Sequence, residues 1–204
     1  DQELDLFTVG KKVKIELADM DYLTWEKDLE EDLNTLYVLT KMVGDITPEH
    51  DAKLQMLLDT IAQKMESPIN PGNQKLIIFT AFSDTAQYLY DQVGTYVKGT
   101  YGLNTALVTG STDGKTTVPK FKADLNSVLT CFSPLSKDKA ALIPDGPDID
   151  ILIAPDCISE GQNLQDCDCL VNYDIHWNPV RLVQRFGRVD RIGSRNERIQ
   201  LINF

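Results

Sequence analysis

The run Leu76-Ile77-Ile78-Phe79-Thr80 is apolar at four successive positions. A strand with one face in water alternates apolar and polar residues, so an unbroken apolar run of this length requires burial on both faces. Similar runs recur at Ala106-Leu107-Val108-Thr109, Ile149–Ala154, Leu170–Tyr173 and Ile199–Asn203. After the first, the segment from Asp84 to about Val97 puts Ala86, Leu89, Tyr90 and Val93 on one helical face. After the second comes a polar turn, then a helix expected to end near Leu129. Strands alternating with helical crossovers make an α/β fold, a parallel sheet covered on both sides. Residues 130–148, with Pro134, Pro144, Gly146 and Pro147, read as a long loop inserted before the third strand.

The part before the first strand has a different grammar. Asp19 to Lys41 is acidic and carries Leu23, Leu29, Leu33, Leu36 and Leu39 as a helical stripe. Leu54, Leu57, Leu58, Ile61 and Met65 follow the i, i+3, i+4, i+7 pattern of a second helix. Thr47-Pro48-Glu49 reads as its start signal, and Ser67-Pro68-Ile69-Asn70-Pro71-Gly72 as a firm stop. The expected organisation is an acidic helical appendage over residues 1–50 and an α/β domain over 51–204. No apolar run reaches the roughly 18 residues of a membrane span. The ends of the chain read as cut from something longer.

The net charge of −11 argues against wholesale coating of nucleic acid, but its distribution is uneven. Residues 171–204 hold 3 acids and all 6 arginines, while all 14 lysines lie elsewhere. Arginine without lysine suits sites where a planar, permanently charged fork grips oxygens bidentately; an arginine-rich surface helix is the bland alternative. Cys167 and Cys169 are one residue apart, not at zinc-knuckle spacing, so no metal site is expected. Reduced thiols of an intracellular, cytoplasmic protein are the expected state.

In parallel α/β sheets ligands sit beyond the carboxyl ends of the strands, which is where the chemistry should lie. Gly110-Ser111-Thr112-Asp113-Gly114-Lys115-Thr116 imitates a phosphate-binding P-loop but has three residues between its glycines where the motif needs four. The stronger signal is Gln184-Arg185-Phe186-Gly187-Arg188-Val189-Asp190-Arg191-Ile192-Gly193. Here Val180, Val183 and Phe186 form an apolar side, and Arg181, Arg185 and Arg188 share the opposite one.

Gln-x-x-Gly-Arg-x-x-Arg resembles the arginine-finger motif, motif VI, of superfamily 2 helicases and translocases. The Val-Asp between the arginines and the Ile-Gly after them resemble the Swi/Snf-type branch, which includes bacterial RNA-polymerase-recycling ATPases. Ala154-Pro155-Asp156-Cys157-Ile158-Ser159-Glu160-Gly161-Gln162-Asn163-Leu164-Gln165 is similar to motif V, and Asp174-Ile175-His176-Trp177-Asn178-Pro179 to the Trp-Asn-Pro stretch before motif VI. Lys75–Phe82 resembles motif IV, Thr109–Thr112 the next strand end, and Lys53–Met65 the helix before motif IV.

The resemblance implies a RecA-like lobe, the C-terminal half of a motor whose ATP and Mg²⁺ are bound mainly by an N-terminal lobe. It casts Arg188 and Arg191 as arginine fingers and Gln184, Glu160, Gly161 and Gly187 as nucleotide-side residues. It casts Thr80, Ser83, Thr109 and Ser159 as contacts to DNA or RNA, the first three by hydroxyl or backbone N–H. Asn163 caps a turn or touches a ligand; Trp177 is a core or interlobe anchor rather than a stacking platform. Pro155 replaces the usual Thr or Ser of motif V and supplies neither hydroxyl nor amide. Neither a Walker-type Gly-x4-Gly-Lys-Ser/Thr nor an Asp-Glu box is in the chain, so the chain by itself is expected to be inactive. The alternatives are a non-catalytic interaction module built on a vestigial lobe, and a small P-loop kinase using Gly110–Thr116.

Overall fold

The computed structural model describes residues 8–10, 12–109, 114–155 and 162–204, which divide into two compact units, one up to Asp51 and one from Ala52. The first unit holds a two-residue hairpin, β1 (Thr8–Val9) against β2 (Ile15–Glu16), and a long helix, α1 (Tyr22–Gly44). Asp21 caps α1 by accepting from the Thr24 amide. The leucine stripe forms as expected on α1, yet none of the helix's residues is buried. The hairpin was not legible as a pattern, since two residues per strand carry no periodicity.

The second unit begins with α2 (Ala52–Glu66), whose Leu54, Leu57, Ile61 and Met65 are buried. Pro48 opens a short 3-10 turn, Pro48–His50, rather than α2 itself. Gly72, at φ +79°, turns the chain toward the sheet in a conformation that glycine adopts freely. The strands β3 (Leu76–Thr80), β4 (Thr105–Leu107), β5 (Lys115–Thr116), β6 (Ile151–Pro155), β7 (Cys169–Asn172) and β8 (Gln200–Asn203) form one six-stranded sheet in the order β5-β4-β6-β3-β7-β8. All neighbours are parallel except β4 and β5. The helices are α3 (Ser83–Tyr101), α4 (Leu125–Phe132), α5 (Lys139–Leu142) and α6 (Pro179–Val189). This is a RecA-like α/β sheet flanked by helices.

The unbroken apolar strands explain the two-sided packing. Leu76 and Ile78 join Leu57, Ile61, Leu89 and Val93 in one core under α2 and α3. Ile77 and Phe79 point the other way into a second core with Val128, Phe132, Leu164 and Val189.

Two expectations need correction. The second crossover begins with the antiparallel edge strand β5 rather than passing straight into a helix. The segment expected as a loop over 130–148 starts inside α4, which runs to Phe132 because Cys131 and Phe132 are core residues, and it holds α5 further on.

Candidate functional site

The sheet's carboxyl edge collects the ends of β3 and β7 and the start of α6. Trp177-Asn178-Pro179 sets that start: Asn178 Oδ1 accepts from the Val180 amide at 3.0 Å, and Pro179 opens the helix without an amide to satisfy. The Asn178 amide in turn donates to His176 Nδ1 at 3.0 Å. His176 stacks on Trp177, which is 88% exposed, so Trp177 is not a core anchor of this lobe.

The amphipathic helix expected at the arginine motif forms as α6, with Arg185 and Arg188 buried and Arg181 exposed. Arg185 is 2% exposed; its Nη1 donates to Asn172 Oδ1 at 2.8 Å and to the Asp174 carbonyl at 3.3 Å. Its guanidinium carbon lies 5.2 Å from the centre of the Phe79 ring. Arg188 is 8% exposed, and its carbonyl accepts from the Leu164 amide at 3.0 Å, which ties the end of the motif V segment to α6. Arg191 lies on the surface beyond the helix, where its Nε donates to the Gly187 carbonyl at 3.1 Å. The two proposed fingers therefore differ: one is held within the lobe and one is open. Gln184 and Gly187 are exposed on α6. Val180 and Val183 on the arginine helix, and Ile175 and Ile192 in the segments flanking it, are exposed as well.

Asp174 joins β3 to this region. Its Oδ2 accepts from Thr80 Oγ1 at 2.5 Å and from the Ala81 amide at 3.2 Å, while Oδ1 faces Lys53 Nζ at 3.2 Å. Burial pushes this carboxyl up, but the hydrogen bonds from Thr80, Ala81 and Lys53 outweigh it and hold the pKa below the usual carboxylate value. Thr80 is fully buried, with its hydroxyl also accepting from the Phe82 amide at 3.3 Å. The Thr80 hydroxyl, one of the two groups (hydroxyl or backbone N–H) through which a phosphate contact is expected at this residue, is committed inside the protein. Ser83 is exposed at the first position of α3, where no side chain caps the helix amides. Thr109 follows β4 at the same edge.

Ser159, Glu160 and Gly161, expected to contact nucleic acid or nucleotide, lie outside the described residues, as does Cys157. Asn163 proves to be a turn residue, its Oδ1 accepting from the Gln165 amide at 3.3 Å. Lys115 and Thr116 form an edge strand, and Lys115 Nζ donates to Gln87 at 2.6 Å, so this lysine does not open a helix as a P-loop lysine would. Burial pushes the Cys169 thiol up to about 12 and raises that of Cys167 as well, so both are unreactive core groups. The Lys53–Asp174 contact is what the sequence reading missed: 121 residues separate the pair, and no local pattern marks it.

Comparison with known proteins follows the same segment. The model of the helicase conserved C-terminal domain matches residues 52–193. The chain is 49% identical over 49 residues to the uncharacterized ATP-dependent helicase YqhH of Bacillus subtilis (strain 168), which is 24% of this chain and 9% of that protein. It is 40% identical over 68 residues to the RNA polymerase-associated protein RapA of Vibrio campbellii, 32% of this chain and 7% of RapA. These matches span less than a tenth of the relatives' lengths. The C-terminal part of the Fun30 ATPase domain aligns with a TM-score of 0.48 at 19% identity, covering 74% of this chain and 39% of that one. No helix among the described residues is long and apolar enough to cross a membrane. With the family model matched over well more than half of its length, this chain belongs to the helicase conserved C-terminal domain family.

Proposed function

We propose that the chain is the second motor lobe of an ATP-dependent helicase or nucleic-acid translocase, and that it brings arginines to a nucleotide carried on an N-terminal lobe. The observation that carries the reading is α6 itself, an arginine-motif helix on the carboxyl edge of the sheet with exposed apolar residues around it. A surface of that kind is what a docking face for another body requires. When the lobes close, Arg191 and Arg188 stabilise the charge that builds on the γ-phosphoryl oxygens during transfer. Gln184 and Gly187 line the approach on the same helix, and Glu160 and Gly161 are assigned to sensing the nucleotide.

The uncapped amides at the start of α3, with Ser83, are assigned to phosphates of the DNA or RNA track, as are Thr109 and Ser159. Mg²⁺ is assigned, with the nucleotide, mainly to the other lobe, as the family resemblance implies. The similarity to RapA, by its name an RNA polymerase-associated protein, makes RNA polymerase a partner to test.

The test is turnover by the full-length protein. Arg191→Ala or Arg188→Ala should lower kcat by at least ~10³-fold, as loss of such fingers does. Retained ATPase in either variant overturns that arginine's role. The isolated chain should turn over no ATP; turnover by purified chain would remove the need for a second lobe.

A further inference from the structure

Three segments far apart in sequence meet on one carboxylate. Asp174 leads out of β7 toward α6, accepts from Thr80 Oγ1 and the Ala81 amide at the entrance to α3, and pairs with Lys53 of α2 at 3.2 Å. The Lys53 ammonium also lies 4.1 Å from the centre of the Tyr173 ring, which restricts where the long side chain can go. From the other side, Arg185 of α6 donates to the backbone carbonyl of the same Asp174. One residue therefore holds the turn that starts α3 through its side chain and the arginine helix through its main chain.

We propose that the Lys53–Asp174 pair is a strut that locks the Thr80–Phe82 turn to the segment entering α6, which makes Asp174 a positioning residue for the arginine helix. Its functional consequence rests on the lobe reading above. In that reading the start of α3 faces the track and α6 faces the nucleotide, and Asp174 is a direct protein link between them. Its carboxylate is engaged by Thr80, Ala81 and Lys53, so it acts through its neighbours and not on a substrate. A half-exposed ion pair alone contributes little to stability, so the strut matters through the geometry it fixes. Coupling of this kind is carried by an element whose two ends move together.

The test uses the full-length protein with Asp174→Asn, Lys53→Met, Lys53→Arg and the combination of the first two. Amide hydrogen exchange is measured alongside ATPase turnover, with and without duplex DNA or an RNA oligonucleotide. Asp174→Asn and Lys53→Met should each speed exchange about tenfold at Ala81 and Phe82 and in α6, and leave β6 unchanged. Stimulated kcat should fall about tenfold while KM for ATP stays near wild type. The double variant should be no worse than the worse single one, and Lys53→Arg should restore most of the loss. Should Asp174→Asn not fold, Lys53→Met carries the same test from a half-exposed position.

Loosening of the turn without α6 overturns the strut. So does uniform loosening that includes β6, or effects that multiply in the double variant. A wild-type protein without ATPase whose variants still loosen turn and α6 together overturns the function and leaves the strut. ATPase without joint loosening does the reverse.

Discussion

Nη1 of Arg185 donates to Oδ1 of Asn172 at 2.8 Å, and Nδ2 of Asn172 donates onward to Oδ1 of Asn203 at 2.8 Å. A polar chain, buried at Arg185 and Asn172 and exposed at Asn203, thus runs from the arginine helix through β7 to β8, the neighbouring strand of the sheet. Arg185→Met keeps the length of the side chain but strands the Asn172 acceptor, and should lower stability by about 1–3 kcal/mol. Asn172→Ala removes the acceptor of a buried charge and should cost about 2–3 kcal/mol. Denaturant unfolding of both variants measures this. A wild-type midpoint for Arg185→Met would mean that Asn172 draws its stabilisation from elsewhere.

The inward-facing arginines also mark where sequence reading stops. Spacing separates Val180 and Val183 from Arg185 and Arg188, but a hydrophobicity rule would bury the valines. In the fold Val183 is 70% exposed and Arg185 is buried, because Asn172 and the Asp174 carbonyl wait beneath the helix. Those acceptors come from β7, and periodicity within one segment cannot register them.

The strands are the opposite case. Leu76–Thr80 was read from its apolar run and forms β3 over the same residues, since burial on both faces leaves its mark in the strand's own sequence. Strand β5 escaped because Lys115-Thr116 is polar and pairs only at the edge. The internal engagement of the Thr80 hydroxyl escaped because its partner, Asp174, lies 94 residues away.

Arg188 and Arg191 should part in stability whatever they share in catalysis. Arg188 is 8% exposed, so Arg188→Ala empties packed space and should cost about 1–3 kcal/mol. Arg191 is exposed, and Arg191→Ala should stay within about 0.5 kcal/mol of wild type. Thermal melting of both variants checks the split. Equal losses would place the Arg191 side chain in the packed interior, contrary to the structure.

Asp174 predicts a pH dependence with a definite sign. Its carboxyl is held below the usual value in the folded protein, so the unfolded chain binds the proton more readily. The stabilisation is therefore complete above about pH 5 and is lost as pH falls through the lowered native pKa, below about 3.9. Unfolding midpoints of wild type and Asp174→Asn, measured from neutral pH to pH 3, should converge toward the acid end. Midpoints that stay a constant distance apart would mean that the charge of Asp174 contributes nothing.

Gly187 offers a test in which stability and function should move in opposite directions. It lies inside α6, where glycine costs about 1 kcal/mol relative to alanine, and an added Cβ would meet no atom within 4 Å. On structural grounds alone Gly187→Ala should raise stability by about 0.5–1 kcal/mol, read as a higher melting temperature. If the exposed face of α6 closes over a nucleotide on another lobe, the same methyl group occupies space the complex needs. KM for ATP in the full-length protein should then rise about tenfold. A glycine retained only for local backbone reasons cannot give both results, because a helical conformation places no demand on glycine here. Higher stability with unchanged kinetics would leave Gly187 facing water in the closed motor and would move the nucleotide off this side of the helix.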